Sequence, residues 1–353
     1  MIVVAPYVKP CYVRIQDRFF PKEHFSKQSS DKDVLDKVYK TSLNLKDVKM
    51  SMGDMKGLPI DLKNFFLPKR HSSIQNNYYT SYAISGVSYY AIQQRDSIVM
   101  NKLKIKTDEF IDSKNKKLVY PIKKIDQVPI GLLLLNLYRW YHDDEYLLTA
   151  RSLYSTVINM KDYQGRILYV KDSDVDLDDV LGMCIPFLME YYNVTHDSTA
   201  LVTVNENMER FHRYAVNPRT GLPAHGYNLR TGIPVGSANW GRGIGWYLLA
   251  SAFCPQIEDN ILDNTLFNLD YTQFPGSSSN YDSSYSIMCE IYKQSKNKKR
   301  KLSLQFIKSH ILKNGMVDDC SGDTYGLNNY SHTFGESELC NGLLLILASK
   351  FAN

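Results

Sequence analysis

Turns that carry an aspartate recur along this chain about every 50 residues, each set between two helical stretches. They are Asp96, Asp143 with Asp144, and Asp197. The stretches run over 81–94, 126–140, 145–159, 180–193 and 199–213. A helical hairpin repeated at a fixed period cannot bury its apolar stripe alone, so successive hairpins must stack. Strand signals are few. Residues 132–137 are apolar nearly all round, which suits an inner helix, whereas 148–158 and 200–213 keep a polar side and suit an outer ring. Residues 76–353 are therefore expected to form one domain, and residues 1–75 a polar leading arm with one helix near 31–45, lying over the mouth of the fold.

The chain has three Trp, and two of them flank Trp240-Gly-Arg-Gly-Ile-Gly-Trp246. Each Gly weakens a helix by about 1 kcal/mol relative to Ala, so three alternating Gly point to a close approach of backbone or ligand. Flat indoles and a planar guanidinium are groups that hold a sugar ring and a carboxylate. The structural alternative is a tight turn with the rings in the core. Just upstream, Arg219-Thr-Gly reads as a turn, and His225 stands in a segment too rich in Gly and Pro to be a helix interior.

Further upstream run Asp172, Asp174, Asp176, Asp178 and Asp179, followed by an apolar stretch from Val180. The alternation suggests a calcium loop, but Leu177 stands where an EF-hand needs Gly, and Met183 where it needs Glu. Most of these Asp suit a solvated loop and a helix N-terminus. Asp179 differs because apolar residues follow it. Partial desolvation and repulsion from Asp176 and Asp178 are expected to raise its pKa toward that of a general acid.

In this order the segments resemble the unsaturated uronyl hydrolases, glycoside hydrolase families 88 and 105. The matching residues are Asp179 seven places before Pro186-Phe187, Thr220-Gly-Leu222, His225-Gly-Tyr227, Trp240 to Trp246, and Asp126 before Gly131 and its run of Leu. The likeness covers about residues 78–250. It implies an all-α (α/α)6 barrel of the six-hairpin glycosidase kind, in agreement with the repeat of hairpins. It also implies removal of a 4-deoxy unsaturated uronic acid from the non-reducing end of lyase-generated oligosaccharides. In that reaction the C4–C5 double bond is hydrated: an Asp protonates C4, then helps water add at C5. Asp179 matches that residue, and Asp126 is the second carboxylate. His225 and Arg242 face the uronate carboxylate or glycan hydroxyls, and Trp240 and Trp246 form walls. No cofactor or metal is implied.

The chain departs from the family pattern. Leu177-Asp178 stands where the family has Trp-Leu, so Asp178 competes with Asp179 for the acid role, and Ile244 stands where the family often has Asn. The part after Trp246 is short; 274–285 and 326–331 only faintly match the family's late segments. These departures favour, as an alternative, a weak or inactive barrel that binds a glycan. A third reading is an ordinary glycosidase in which Asp126 and Asp179 flank the bond as separate acid and base.

A net charge of +5 suits an anionic oligosaccharide, and 26 Tyr suit a carbohydrate cleft. The basic run at 296–301 has no aromatic interleaving, so no nucleic-acid partner is expected. Six scattered Cys, none in a C-x-x-C pair, read as reduced thiols of a cytoplasmic protein. The first ten residues do not read as a signal peptide, and the apolar run near 130–138 is too short to span a bilayer. The sequence leaves the oligomeric state, the second sugar and its linkage open.

Overall fold

In this computed structural model, residues 21–43, 77–169, 172–236, 240–254, 262–263, 265, 281–297, 299–322, 326–328 and 334–352 are described. Helix α1 spans Asp31–Ser42, α2 Tyr78–Gln94, α3 Ser97–Asp108, α4 Ile130–Tyr141 and α5 Asp144–Asn159. Helix α6 spans Asp178–Thr195, α7 Ser198–Ala215, α8 Gly241–Phe253, α9 Ser283–Lys296 and α10 Glu338–Ile346, which continues as a π-helical turn over Leu347–Phe351.

The recurring aspartates are hinges of one design. Arg95, His142 and His196 take left-handed φ values of 55°, 54° and 56° and end α2, α4 and α6. The next residue in each case, Asp96, Asp143 or Asp197, accepts a hydrogen bond at 3.0 Å from a backbone N–H in the first turn of the following helix. One residue closes a helix and its neighbour caps the next, so the chain reverses within two positions.

Helices α2, α4, α6, α8, α9 and α10 pack side by side in that order, and α10 closes the ring against α2. Their contacts pair early turns with early turns, as Gly182 with Trp246 and Gly245 with Met288. Late turns likewise meet late turns, as Gln93 with Ala348 and Arg139 with Glu190. The six inner helices are therefore parallel. Helices α3, α5 and α7 pack outside α2, α4 and α6, and α1 packs against α10 and α2. This is the expected (α/α)6 barrel. The helix expected near 31–45 forms as α1 against the side of the ring, where Lys308 pairs with Asp31.

Inner helices that touch on both sides need small or apolar surfaces. A Cβ on Gly86 of α2 would lie 2.2 Å from the Gly342 carbonyl oxygen of α10, so these helices meet backbone to backbone. Helix α6 carries Pro186 in its interior, which frees the carbonyl of Gly182 from its usual donor. The Tyr82 hydroxyl donates to that carbonyl from α2. At the hinge end, buried Glu190 accepts from Arg139 and Lys350. Burial works against its charge, but the two cations outweigh it and hold the Glu190 carboxyl below its ordinary range.

The opposite end, at the inner-helix N-termini, carries longer loops and short antiparallel ribbons. Strand β1 (Ile111–Asp112) pairs with β2 (Lys117–Leu118). Strand β3 (Val175–Leu177) pairs with β4 (Gly226–Asn228), and β4 with β5 (Pro234–Val235). Strand β6 (Cys320–Ser321) pairs with β7 (Phe334–Gly335). Among the described residues no helix is long and apolar enough to cross a membrane. Of the expected late segments, 274–280 and 329–331 lie outside the described residues, as do Cys11 and most of 1–75.

Candidate active site

The β3–β4 ribbon builds the site. Its register pairs Val175 with Asn228, Asp176 with Tyr227 and Leu177 with Gly226. The N–H of Asp178 donates to the carbonyl of His225 at 2.9 Å, which extends the ladder one step further. Asp178 and Asp179, which open α6, are thereby set beside His225. The register is tight: a Cβ on Gly226 would lie 2.1 Å from the carbonyl oxygen of Asp176.

His225 Nε2 lies 3.2 Å from Asp179 Oδ2 and 3.8 Å from Asp178 Oδ1. The His225 ring packs on the indole of Trp240, with centroids 4.6 Å apart. The Asp179 side chain is 14% exposed and that of Asp178 only 2%. The burial expected at Asp179 thus falls most heavily on its neighbour. Burial first, then the charge of Asp179, push the Asp178 carboxyl well above the ordinary range. Burial also pushes Asp176 up to about 7, against the pull of the Tyr227 hydroxyl and Arg166. Asp178 Oδ2 packs against α8, where a Cβ on Gly243 would come within 2.5 Å of it. This close approach gives the middle Gly of the Trp-Gly motif a spatial reason.

Asp126 sits half-buried in the single turn Ile125–Gln127 that precedes α4, and that turn packs against α6 and α2. Because the inner helices are parallel, Asp126 and Asp179 lie at the same end of the barrel.

Arg242 and Trp246 are placed differently from the expectation that both face a sugar. Arg242 is 1% exposed. Its Nη1 donates to the carbonyl of Ser321 at 2.8 Å and its Nη2 to that of Gly322, and its guanidinium carbon lies 5.6 Å from the Trp240 ring. It ties the start of α8 to β6. Trp246, one turn into α8, stacks on Tyr82 at 5.8 Å and meets Tyr78 edge-on at 5.6 Å, inside the core. The ring fits because Gly182 leaves room for it. Asp126, Asp179, His225 and Trp240 thus gather at one end, and Arg242 and Trp246 support them from behind. The anchoring carbonyls of Ser321 and Gly322 had no signal in the sequence, because any residue supplies a carbonyl. Asp178 was visible as a charge, but its depth was not.

A sequence model described as Glycosyl Hydrolase Family 88 matches residues 64–259. No curated protein matches the sequence. Among solved structures, the fold is similar to a possible member of the GH105 family from Klebsiella pneumoniae, with a TM-score of 0.71 at 13% identity, over 92% of this chain and 94% of that one. It is similar to a glycosyl hydrolase of family 88 from Bacteroides vulgatus, with a TM-score of 0.60 at 11% identity, over 91% and 99%. It is also similar to the GH76A α-1,6-mannanase of Salegentibacter sp. HEL1_6, in an inactive variant with two consecutive Asp-to-Asn substitutions, in complex with α-1,6-mannotriose. That match has a TM-score of 0.58 at 13% identity, over 90% and 98%.

Proposed function

We propose, for a chain that belongs to Glycosyl Hydrolase Family 88, that it releases a 4-deoxy unsaturated uronic acid from the non-reducing end of lyase-generated oligosaccharides by hydrating the C4–C5 double bond. Membership makes the chain a glycoside hydrolase acting on uronate-containing glycans. The finer reading adds the bond and the order of events. Asp179 gives its proton to C4 as the double-bond electrons move to form the new C–H bond. The resulting carboxylate then draws a proton from the water that adds at C5, which restores the acid. The hemiketal so formed opens and the sugar is released.

The observation that carries this reading is the contact of His225 Nε2 with Asp179 Oδ2 at 3.2 Å, on the more open of two adjacent carboxyls. A fixed carboxyl with one oxygen held by an imidazole can present the other to the substrate. Asp126 acts from the α4 side, and Trp240 forms a wall for the sugar. Arg242 and Trp246 act on the substrate through the segment they hold. The buried thiols of Cys184, Cys289, Cys320 and Cys340 support a reducing, cytoplasmic setting.

The test is the ultraviolet absorbance of the unsaturated uronide. Its loss on incubation with the protein, and its persistence with Asp179→Asn, is the expected result. Persistence with both leaves a glycan-binding barrel without this activity. A second reading is favoured by one observation: Asp178 and Asp179 are consecutive at an inner-helix N-terminus, and the mannanase variant is inactive with two consecutive aspartates substituted. Cleavage of a saturated α-1,6-mannooligosaccharide, with no effect on the uronide, would favour it.

A further inference from the structure

Asp178 faces the same imidazole as Asp179 and adds a third donor to the His225–Asp179 pair. One donor atom from each of Asp178, Asp179 and His225 lies within 4.8 Å of the other two. Asp178 Oδ1 is buried without a hydrogen-bond partner and faces His225 Nε2 at 3.8 Å. A buried carboxyl oxygen without a hydrogen bond is costly, and a second carboxyl beside it raises the cost of ionising either. A divalent cation would remove both penalties at once.

We propose that Asp178, Asp179 and His225 form a binding site for one divalent first-row transition ion, with Zn²⁺ the best fit, and that the bound ion withholds Asp179 from proton transfer. Two carboxylates and an imidazole are the donor types such an ion takes, whereas Ca²⁺ wants six or more oxygens. Donors on a tetrahedral Zn²⁺ stand about 3.3 Å apart. The His225–Asp179 separation is already 3.2 Å, and the His225–Asp178 separation needs to close by only about half an ångström. The three side chains are set by the β3–β4 ribbon and the first turn of α6, so the donors are largely assembled before the ion arrives. The fourth position faces the mouth on the side of Asp179, the most exposed of the three. On binding, the ion takes a lone pair from each donor and any proton on the two carboxyls leaves to solvent. A metal-bound Asp179 carboxylate has no proton to give to C4. This consequence for catalysis rests on the hydrolase reading; the binding itself does not.

The test uses the full chain, stripped of metal with a chelator and titrated with CoCl₂, then with ZnCl₂. One Co²⁺ should bind per chain with the visible bands of oxygen and nitrogen coordination and no thiolate charge-transfer band, and Zn²⁺ should displace it. Asp178→Asn should weaken binding at least tenfold, since even the loss of an outer-shell partner costs about 10- to 100-fold. His225→Gln serves as the second variant, and thermal melts identify whichever variant is folded. Equal affinity in wild type and a folded variant overturns the site, as does a thiolate band or the absence of stoichiometric binding. In the activity arm, Zn²⁺ should stop uronide loss and EDTA should restore it. If the metal-free chain leaves the uronide intact while cobalt binds as expected, the hydrolase reading fails and the site stands. If the metal-free chain is active and cobalt ignores the three residues, the site fails and the hydrolase reading stands.

Discussion

His225 Nε2 and Asp179 Oδ2 stand 3.2 Å apart although the residues are 46 positions apart in the chain, because three paired rungs of β3 and β4 align them. The contact fixes the carboxyl before substrate arrives, and preorganisation of this kind is what makes a proton donor effective. Asp179→Asn keeps the shape and the hydrogen bond and removes the transferable proton. The value of kcat on unsaturated uronides should fall by about 10²–10⁴-fold with an unchanged melting temperature. Full activity in the variant would remove Asp179 from the acid role.

Gly226 tests whether the ribbon sets that geometry. A Cβ at this position meets the backbone oxygen of Asp176 at 2.1 Å, and a ladder carbonyl cannot swing away as a side chain can. Gly226→Ala should cost about 1–3 kcal/mol of stability. Displacement of His225 from Asp179 should lower kcat by roughly 10- to 100-fold, the scale of a 1 Å misplacement. Circular dichroism and kinetics read the two effects separately, and unaltered kinetics would show that the ribbon does not position the pair.

The barrel was legible because its repeat is written in short-range chemistry. Arg95-Asp96, His142-Asp143 and His196-Asp197 each join a left-handed helix end to a carboxylate cap, and the sequence shows the aspartates at their period. That Asp126, Asp179 and His225 share one end of the barrel followed from the order of their segments in the family resemblance. The direction of Arg242 did not. Its partners are backbone carbonyls about 80 residues away, and a carbonyl has no residue identity. The depth of Asp178 was hidden for a related reason, since neighbouring aspartates at a helix start differ in burial only through what packs on each.

Asp176 gives the protein a stability trend with pH. Burial pushes its folded-state pKa up to about 7 from an ordinary 3.8. The folded state therefore holds this proton more tightly than the unfolded chain. The contribution is fully present below pH 4 and is lost as the pH rises through 7. It amounts to roughly 4 kcal/mol at most. Asp176→Asn removes this titration. Denaturant melts at pH 5 and pH 8 should show wild type losing stability relative to the variant over that interval. Parallel behaviour of the two would show that Asp176 is ionised alike in both states.

Arg242 separates a substrate contact from a structural tie. Its Nη1 and Nη2 donate to the carbonyls of Ser321 and Gly322, and its guanidinium carbon lies 5.6 Å from the Trp240 ring. Lys offers one charged point where Arg offers a planar fork, so Arg242→Lys can serve one carbonyl and leaves the other buried and unpaired. That costs about 1–3 kcal/mol. Arg242→Met loses both bonds and should cost more. With about 2–4 °C per kcal/mol for a chain of this order of size, the Lys variant should melt several degrees low and the Met variant lower still. Activity should fall with the fraction folded, plus any loss from a displaced Trp240 against His225. A melt alongside kinetics decides the matter. If Arg242→Lys melts near the wild-type temperature while KM rises at least tenfold, the guanidinium must leave these carbonyls to meet the uronate carboxylate, and its place is in the binding site.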